Sequence, residues 1–461
     1  MNSVKEESSV PVSFGWIVTI TSLAFVIAQL DVSIVNIALP QIDRTYKADI
    51  SMLQWVVDAY TLAFAVLMLS AGSLSDLLGA KRIFQLGMCI FGIASLGCGF
   101  APSAGGLIGF RVLQGLGAAT MIPSSLAILN QAFAHRPSMR TRAVGLWTAT
   151  GSAAIAAGPI VGGILIELSN WRFIFLVNVP LCIAGLLLSF RLEQRPVNLV
   201  KRKFDFAGQI AWMLSITSLI AAIIEWPQLG FESPLIYGTL LFSILTFLVF
   251  LSIENKVNAP MLPLHLFKSK TFSVLLLLGA LLNWAYYGTV FILSLYLQTV
   301  LHYPSLHAGF AFLPLTLGFV ISNLLSGRII NKFGIRTPIL IGLILFALGF
   351  AGLFIAKADT PYWQLFLPFL IIPMGMGLCV PSMTNGILAS TDKALSGTAS
   401  AVLNTVRQAA GAIGVAVSGA MAAGSTQSLL HAITVCATLA ILLTLVLYAL
   451  NFKYLKKGML N

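Results

Sequence analysis

Apolar residues come in runs of about 20 along nearly the whole chain, separated by short polar breaks. An α-helix of that length crosses the ~30 Å hydrocarbon core of a bilayer. The period-two alternation of a membrane β-barrel is absent. The runs and the turn residues between them predict spans at 15–39, 52–72, 82–101, 105–128, 142–166, 171–190, 206–226, 234–253, 271–298, 306–326, 337–356, 362–386, 397–420 and 428–451. The predicted fold class is thus an all-α polytopic membrane protein of fourteen helices, with both ends on the same side.

A repeat organises the series. GSLSDLLGAKR at 72–82 follows the second run, and a degenerate copy, GRIINKFGIR, stands at 327–336. Gly72 aligns with Gly327, Leu74 with Ile329, Gly79 with Gly334 and Lys81 with Arg336, while Asp76 becomes Asn331. Such an echo points to a transporter built from two similar halves. Six helices fill 15–190, yet the echo of residue 72 comes only at 327, so two extra runs (206–226 and 234–253) lie between the halves. An even insertion keeps both halves in one orientation, as parallel repeats require. The predicted units are an N-terminal six-helix bundle over 1–190, a basic linker with helices 7 and 8 over 191–270, and a C-terminal six-helix bundle over 271–461.

Composition fits this picture. The chain of 461 residues is 58% hydrophobic and 9% charged, against about 25% charged in soluble domains. The net charge of +12 raises the question of nucleic acid, but its distribution answers no. With the N-terminus inside, the outer side holds only Arg44, Lys47, Arg172 and Lys357; Arg111 and Arg407 lie inside helices, and the remaining Lys and Arg fall on the cytoplasmic side. The basic excess sets topology. Trp171 and Arg172 read as an interface anchor opening the sixth helix. The five cysteines fall in apolar runs and read as small buried or lipid-facing residues, not disulfides or metal ligands. No phosphate-binding loop, H-E-x-x-H or G-x-S-x-G is present. These points imply no enzyme, no cofactor and no metal.

Charges inside spans carry the candidate chemistry. Asp31 lies in LDVSIVNIALP (30–40), where a carboxylate is expensive unless paired, hydrated or protonated; Pro40 is expected to end that helix. Asp58 lies in QWVVDAYTL (54–62), a little over one turn inside the outer boundary. Arg111, in LIGFRVLQGLGAA (107–119), has Gln114 one turn away on the same face, and it needs a partner, for which Asp31 or Asp58 is available. A fixed structural salt bridge is the plain alternative to a functional one. Glu225 sits near the outer end of the seventh helix, where solvation by the interface is the competing reading. Asp31 is expected to couple protons, with proton and substrate competing for one carboxylate; Asp58 is expected to assist cationic substrates, divalent ones most. AGPIVGG (157–163), with Gly158, Pro159, Gly162 and Gly163, allows bending and close packing. In the second half GTASAVLNTVRQAAGAIG (397–414) places Arg407 and Gln408 in the thirteenth helix.

The 72–82 pattern resembles the loop after the second helix of the major facilitator superfamily, departing at Leu77, where that family usually has Arg. AGPIVGG resembles the superfamily's antiporter motif; Gly145 occupies its upstream glycine, and Ala154 replaces another. Together with 30–40, 54–62 and 397–414, these segments resemble the fourteen-helix drug:proton antiporters of the quaternary-ammonium and multidrug resistance type. The resemblance implies a rocker-switch fold with a central cavity. It implies export of lipophilic, often cationic compounds in exchange for protons, driven by the proton gradient without a cofactor, in the bacterial cytoplasmic membrane with both termini cytoplasmic, the monomer sufficing. It also implies a conformational role for Gly72, Asp76, Gly79, Lys81 and Arg82, with Asp76 facing the start of the thirteenth helix. Alternatives are export of one endogenous metabolite or lipid-like molecule, and, less in keeping with so few buried polar side chains, nutrient symport.

Overall fold

The computed structural model describes residues 13–192, 205–230, 232–257, 260–392 and 395–455. Among them all regular structure is helical. The segments are α1 (Phe14–Tyr46), α2 (Ile50–Leu78), α3 (Ala80–Gly99), α4 (Ala104–Ala132), α5 (Pro137–Leu168), α6 (Phe173–Leu176), α7 (Asn178–Ser189), α8 (Phe206–Leu229), α9 (Pro234–Lys256), α10 (Lys270–Leu295), α11 (Ser305–Ala311), α12 (Leu313–Phe333), α13 (Arg336–Gly352), α14 (Tyr362–Ala389), α15 (Ser396–Ala422) and α16 (Thr426–Tyr454). Eleven helices are long and apolar enough to cross a membrane, or up to twelve when α5, which bends by 46° between Ile155 and Ala157, counts as one span. The stretch Phe173–Ser189 is apolar but shorter, and α15 is richer in small and polar residues. Most of the basic linker, 193–204, lies outside the described residues.

Side chains at the helix starts supply the turns. Asp49 accepts the Met52 amide at 2.8 Å, Ser103 that of Gly106 at 3.1 Å and Asp205 that of Gly208 at 2.8 Å, each satisfying an orphan donor of a first turn. Helices α1 to α7 pack on one another, chiefly α1 on α5, α3 on α4 and α2 on α4. Helices α10 to α16 do likewise, chiefly α10 on α15, α12 on α14 and α13 on α14. Three seams join the two groups: α2 with α15, α5 with α11 and α12, and α1 with α10 and α11. Helices α8 and α9 pair, and α8 leans on both α2 and α15. The outward face of α9 exposes Leu241, Leu245, Leu248 and Val249, an apolar surface suited to lipid.

The expected loop at 72–82 is mostly helix. Helix α2 continues to Leu78, and α3 begins at Ala80, so Gly72 lies within α2 and the turn is Gly79 alone, at φ +94°. Its echo Gly334 turns at φ +72° between Phe333 and Ile335. Both helices end on a residue that a side chain would strain. The side chains of Ser73 and Asp76 lie outside the described residues.

The aligned cations repeat too. Lys81 Nζ donates to the carbonyls of Phe190 (3.0 Å) and Leu192 (2.5 Å), just past the end of α7. Arg336 donates to the Phe452 carbonyl at 2.9 Å, in the last turn of α16. Each cation holds the carbonyl end of another helix, where the dipole is negative. Arg82 is also engaged.

Pro40 does not end the first helix, contrary to expectation: α1 runs on to Tyr46. Proline cannot donate to the carbonyl four residues back, which is that of Asn36. That carbonyl instead accepts the Ser294 hydroxyl of α10 at 2.7 Å. The helix continues because its lost bond is replaced from outside. Trp171, expected as an interface anchor, packs inward against the protein. It is 4% exposed, donates to Thr45 Oγ1 at 3.0 Å and lies under the Arg172 guanidinium at 4.4 Å.

Candidate functional site

Asp31 and Arg111 meet in an ion pair, each wholly buried. Helix α1 supplies the acid and α4 the base. Close approach of α4 to α2 depends on Gly115, where an added Cβ would strike the Tyr60 carbonyl. The carboxylate is heavily bonded. Its Oδ2 takes the guanidinium; its Oδ1 accepts Gln114 Nε2 at 3.2 Å and Asn178 Nδ2 at 3.0 Å. Arg111 also donates Nε to the Val56 carbonyl at 2.9 Å and Nη1 to Gln114 Oε1 at 2.9 Å, and stacks 4.5 Å from the Tyr60 ring centre. Its Nη2 has no partner. Gln114 extends the network to Ser95 at 2.8 Å. Five helices, α1, α2, α3, α4 and α7, thus meet at one charge pair. Such a pair is stable only while both ions are present, since removing one leaves the other uncompensated. A proton arriving at Asp31 would do that to Arg111.

A narrow pocket opens where α1, α5, α10 and α12 face one another. Ser33 and Asn36 line it from α1, Pro159 from α5, Tyr286 and Tyr287 from α10, and Thr316 from α12. Asp31 does not line it. The α1 residues that do line it, Val32, Ser33 and Asn36, lie about 100° to 200° around the helix axis from Asp31, so pocket and ion pair occupy different sides of one helix. The antiporter-like glycines of α5 set this helix in place. An added Cβ on Gly158 would strike Ser33 Oγ, one on Gly162 would come within 2.9 Å of Ile34 Cγ1, and one on Gly163 within 2.9 Å of the Ser305 carbonyl at the start of α11. Gly158 and Gly162 admit α1, whereas Gly163 admits α11 from the other group.

The other candidates stand apart. Asp58 is 0% exposed, and neither carboxylate oxygen has a hydrogen-bond partner. Glu225 accepts Trp55 Nε1 at 3.0 Å, tying α8 to α2. The Arg407 stem packs near Gly279, where an added Cβ would lie 3.2 Å from its Cγ, and its Nε is unpartnered; Gln408 beside it is partly buried. Among the described residues the Asp31–Arg111 pair is the one ion pair, and no group of three or more metal-ligating side chains occurs.

Sequence reasoning singled out Asp31, Arg111 and Gln114, which the fold brings together, but passed over Asn178, Ser95 and the pocket's Tyr286 and Tyr287. Asn178 carried a readable signal: an amide within the apolar FIFLVNVPL, where an unpaired polar group is expensive. The tyrosines carried none, because they read as ordinary apolar-face residues.

The architecture and its surroundings agree with comparison to known proteins. Residues 21–415 match the model of the Major Facilitator Superfamily. The chain is 36% identical over 411 residues to the methylenomycin A resistance protein of Bacillus subtilis (strain 168), covering 87% of this chain and 86% of that one. It is 32% identical over 403 residues to the multidrug resistance protein Stp of Mycobacterium tuberculosis (strain CDC 1551 / Oshkosh), covering 87% and 75%. A POT family transporter crystallised with 5-aminolevulinic acid shares the fold at a TM-score of 0.70 and 15% identity, over 95% of this chain and 97% of that one. Helical spans, repeat and relatives together mean that this chain belongs to the major facilitator superfamily, as a multi-pass membrane transporter and not an enzyme.

Proposed function

We propose that the protein exports lipophilic, often cationic, drugs or biocides in exchange for protons, by alternating access. The carrying observation is that its relatives are named for drug resistance; a narrow pocket between α1, α5, α10 and α12, lined by aliphatic, aromatic and small polar side chains, lies where the helix groups face one another. Apolar walls with a few polar groups suit such ligands.

In this reading fourteen helices cross the cytoplasmic membrane of a bacterium, with α6 and α7 forming one span and α15 another. Both termini are cytoplasmic, and a monomer suffices. The halves are 1–190 and 271–461, with 191–270 as linker and extra helices. The proton gradient is the energy source, and no cofactor takes part. The ends of α1, α5 and α15 near Tyr46, Leu168 and Ala422 then face outward. Contacts between halves cluster there: Ser294 on Asn36, Gln41 on Ser305 at 3.4 Å, and Gln54 on the Ala416 carbonyl at 2.6 Å. This supports an inward-facing state with the outer side shut.

The proton acts at Asp31. Its pairing with Arg111 on a different side of α1 from the pocket favours indirect coupling, in which protonation loosens the pair and α1 shifts against α5, over competition at a shared carboxylate. Proteoliposomes with an imposed pH gradient, screened against lipophilic cations and anions while internal pH is recorded, test the function. Substrate-dependent proton flux is the expected result; transport indifferent to the gradient would overturn antiport.

A further inference from the structure

Asp58 is not among the residues that line the pocket; it lies elsewhere, on α2. On a helical wheel it falls between two stripes of α2. One stripe, Gln54 and Ala65, meets α15: Gln54 donates to the Ala416 carbonyl at 2.6 Å, and an added Cβ on Gly419 would come within 2.5 Å of Gln54 Nε2. The other, Ser51, Trp55, Leu62 and Val66, meets α8. Ser51 donates to the Ile224 carbonyl at 3.0 Å, and Gln209 to that of Val66 at 2.9 Å. Leu62, Ala65, Ile216, Ile220, Ala412 and Ala416 share one apolar cluster. Asp58 therefore stands in the seam where α2 of the first half, α15 of the second and the extra helix α8 converge. Helix α8 lies over a junction that would otherwise open on lipid.

No charge compensates it there. The α15 face that meets α2 offers Ala409, Ala412, Ala416 and Gly419, and Arg407 is turned toward Gly279 of α10. On α4, Arg111 is committed to Asp31 of α1 and to the Val56 carbonyl, with Tyr60 beneath it. On α8, Glu225 is held by Trp55. An uncompensated carboxylate in such a seam costs several kcal/mol, whereas a neutral acid costs much less.

We propose that Asp58 is a proton-operated latch of the outer gate: the seam between α2 and α15 closes when Asp58 has taken a proton from the outer water and opens when it has returned that proton there. The step forms and breaks one carboxyl O–H bond, and the latch carries no proton across the membrane. It thereby differs from the Asp31 pair and adds a sensor of outer pH. Asp58 charged favours the outward-open form; Asp58 neutral lets the empty transporter turn back inward. The extra helix α8 supplies one wall of the dry site, which gives the inserted pair a function beyond spacing.

The inference rests on the orientation proposed above. The test uses full-length protein with its five cysteines replaced, spin-labelled at Met52→Cys on α2 and Ala423→Cys after α15, in nanodiscs without drug. Distances are measured from pH 5 to 9. The expected result is one short distance at low pH and a growth of the long-distance population as pH rises, the open-to-closed ratio changing at least tenfold. Asp58→Asn should hold the short distance throughout, its agreement with the low-pH parent reporting an intact fold. Asp58→Glu should restore the pH response. A parent distance indifferent to pH, or an Asp58→Asn protein that opens with pH as the parent does, would overturn the latch. Because no substrate is present, failure of the export reading shows separately, in the proteoliposome assay.

Discussion

The Ser294 hydroxyl donates to the Asn36 carbonyl at 2.7 Å, the acceptor that Pro40 leaves without its helical partner. One residue's missing N–H becomes another helix's docking point, and the bond joins α1 to α10, on the outer side in the proposed orientation. A single such hydrogen bond contributes about 1 kcal/mol. Ser294→Ala is expected to raise the outward-open to inward-open ratio roughly fivefold. Pro40→Ala restores an internal donor that competes for the same carbonyl, so it should shift the ratio the same way. The double variant should do less than the sum, because both changes remove one bond. Accessibility of cysteines placed at the outer ends of α1 and α10 measures the ratio; additive effects would show that the two residues act separately.

Asp31→Asn should abolish pH-driven efflux and destabilise the fold. The change leaves Arg111 buried without its counter-ion, an effect of about 3–5 kcal/mol when one partner of a buried pair is removed. Adding Arg111→Gln should recover part of the thermal stability but none of the proton coupling. Melting curves and vesicle efflux read the two consequences apart. Undiminished proton-coupled transport by Asp31→Asn would remove Asp31 from the mechanism.

Much of this was legible in the chain, and the reasons are physical. Runs of about 20 apolar residues can hardly be anything but membrane helices, and the echo of 72–82 at 327–336 survives in space as paired glycine turns and paired cation caps. Arg111 could be assigned a carboxylate partner because bare guanidinium is so expensive in lipid, but the choice of Asp31 over Asp58 depended on helix rotation, which composition does not encode. The reading of Pro40 failed for a related reason. A proline stops a helix only where nothing else satisfies the freed carbonyl, and Ser294 lies far along the sequence. Helix ends at 72–82 were misjudged because glycine and charge mark both loops and the last turns of helices.

Gly163→Ala tests the closed side from α5. The Cβ would come within 2.9 Å of the Ser305 carbonyl and 3.1 Å of Leu306 Cα, backbone atoms that cannot swing aside. The expected outcome is separation of α5 from α11, greater labelling from the outer side and slower turnover. Gly145→Ala, with open space around it, should leave both unchanged. Equal effects of the two substitutions would point to helix propensity in place of packing.

Asp76 is expected to act on the conformational cycle and not on substrate affinity. It lies in the last turn of α2, at the cytoplasmic end in the proposed orientation and far from the pocket on Ser33, Asn36 and Tyr287. An anion at the N-terminus of α15 would gain about 0.3–1 kcal/mol from the helix dipole. That contact could form only with the cytoplasmic side shut, so it would favour the outward-open form. A bias of even 1 kcal/mol changes a two-state ratio about fivefold. Asp76→Asn should therefore slow turnover and enrich the inward-open form, with intrinsic binding nearly kept, while Asn331, the uncharged and exposed echo, should tolerate substitution. Labels on the cytoplasmic ends of α2 and α15, with drug binding assayed on the same preparation, separate the two effects. An unchanged distance distribution together with lost binding would move Asp76 from the gate to the substrate path.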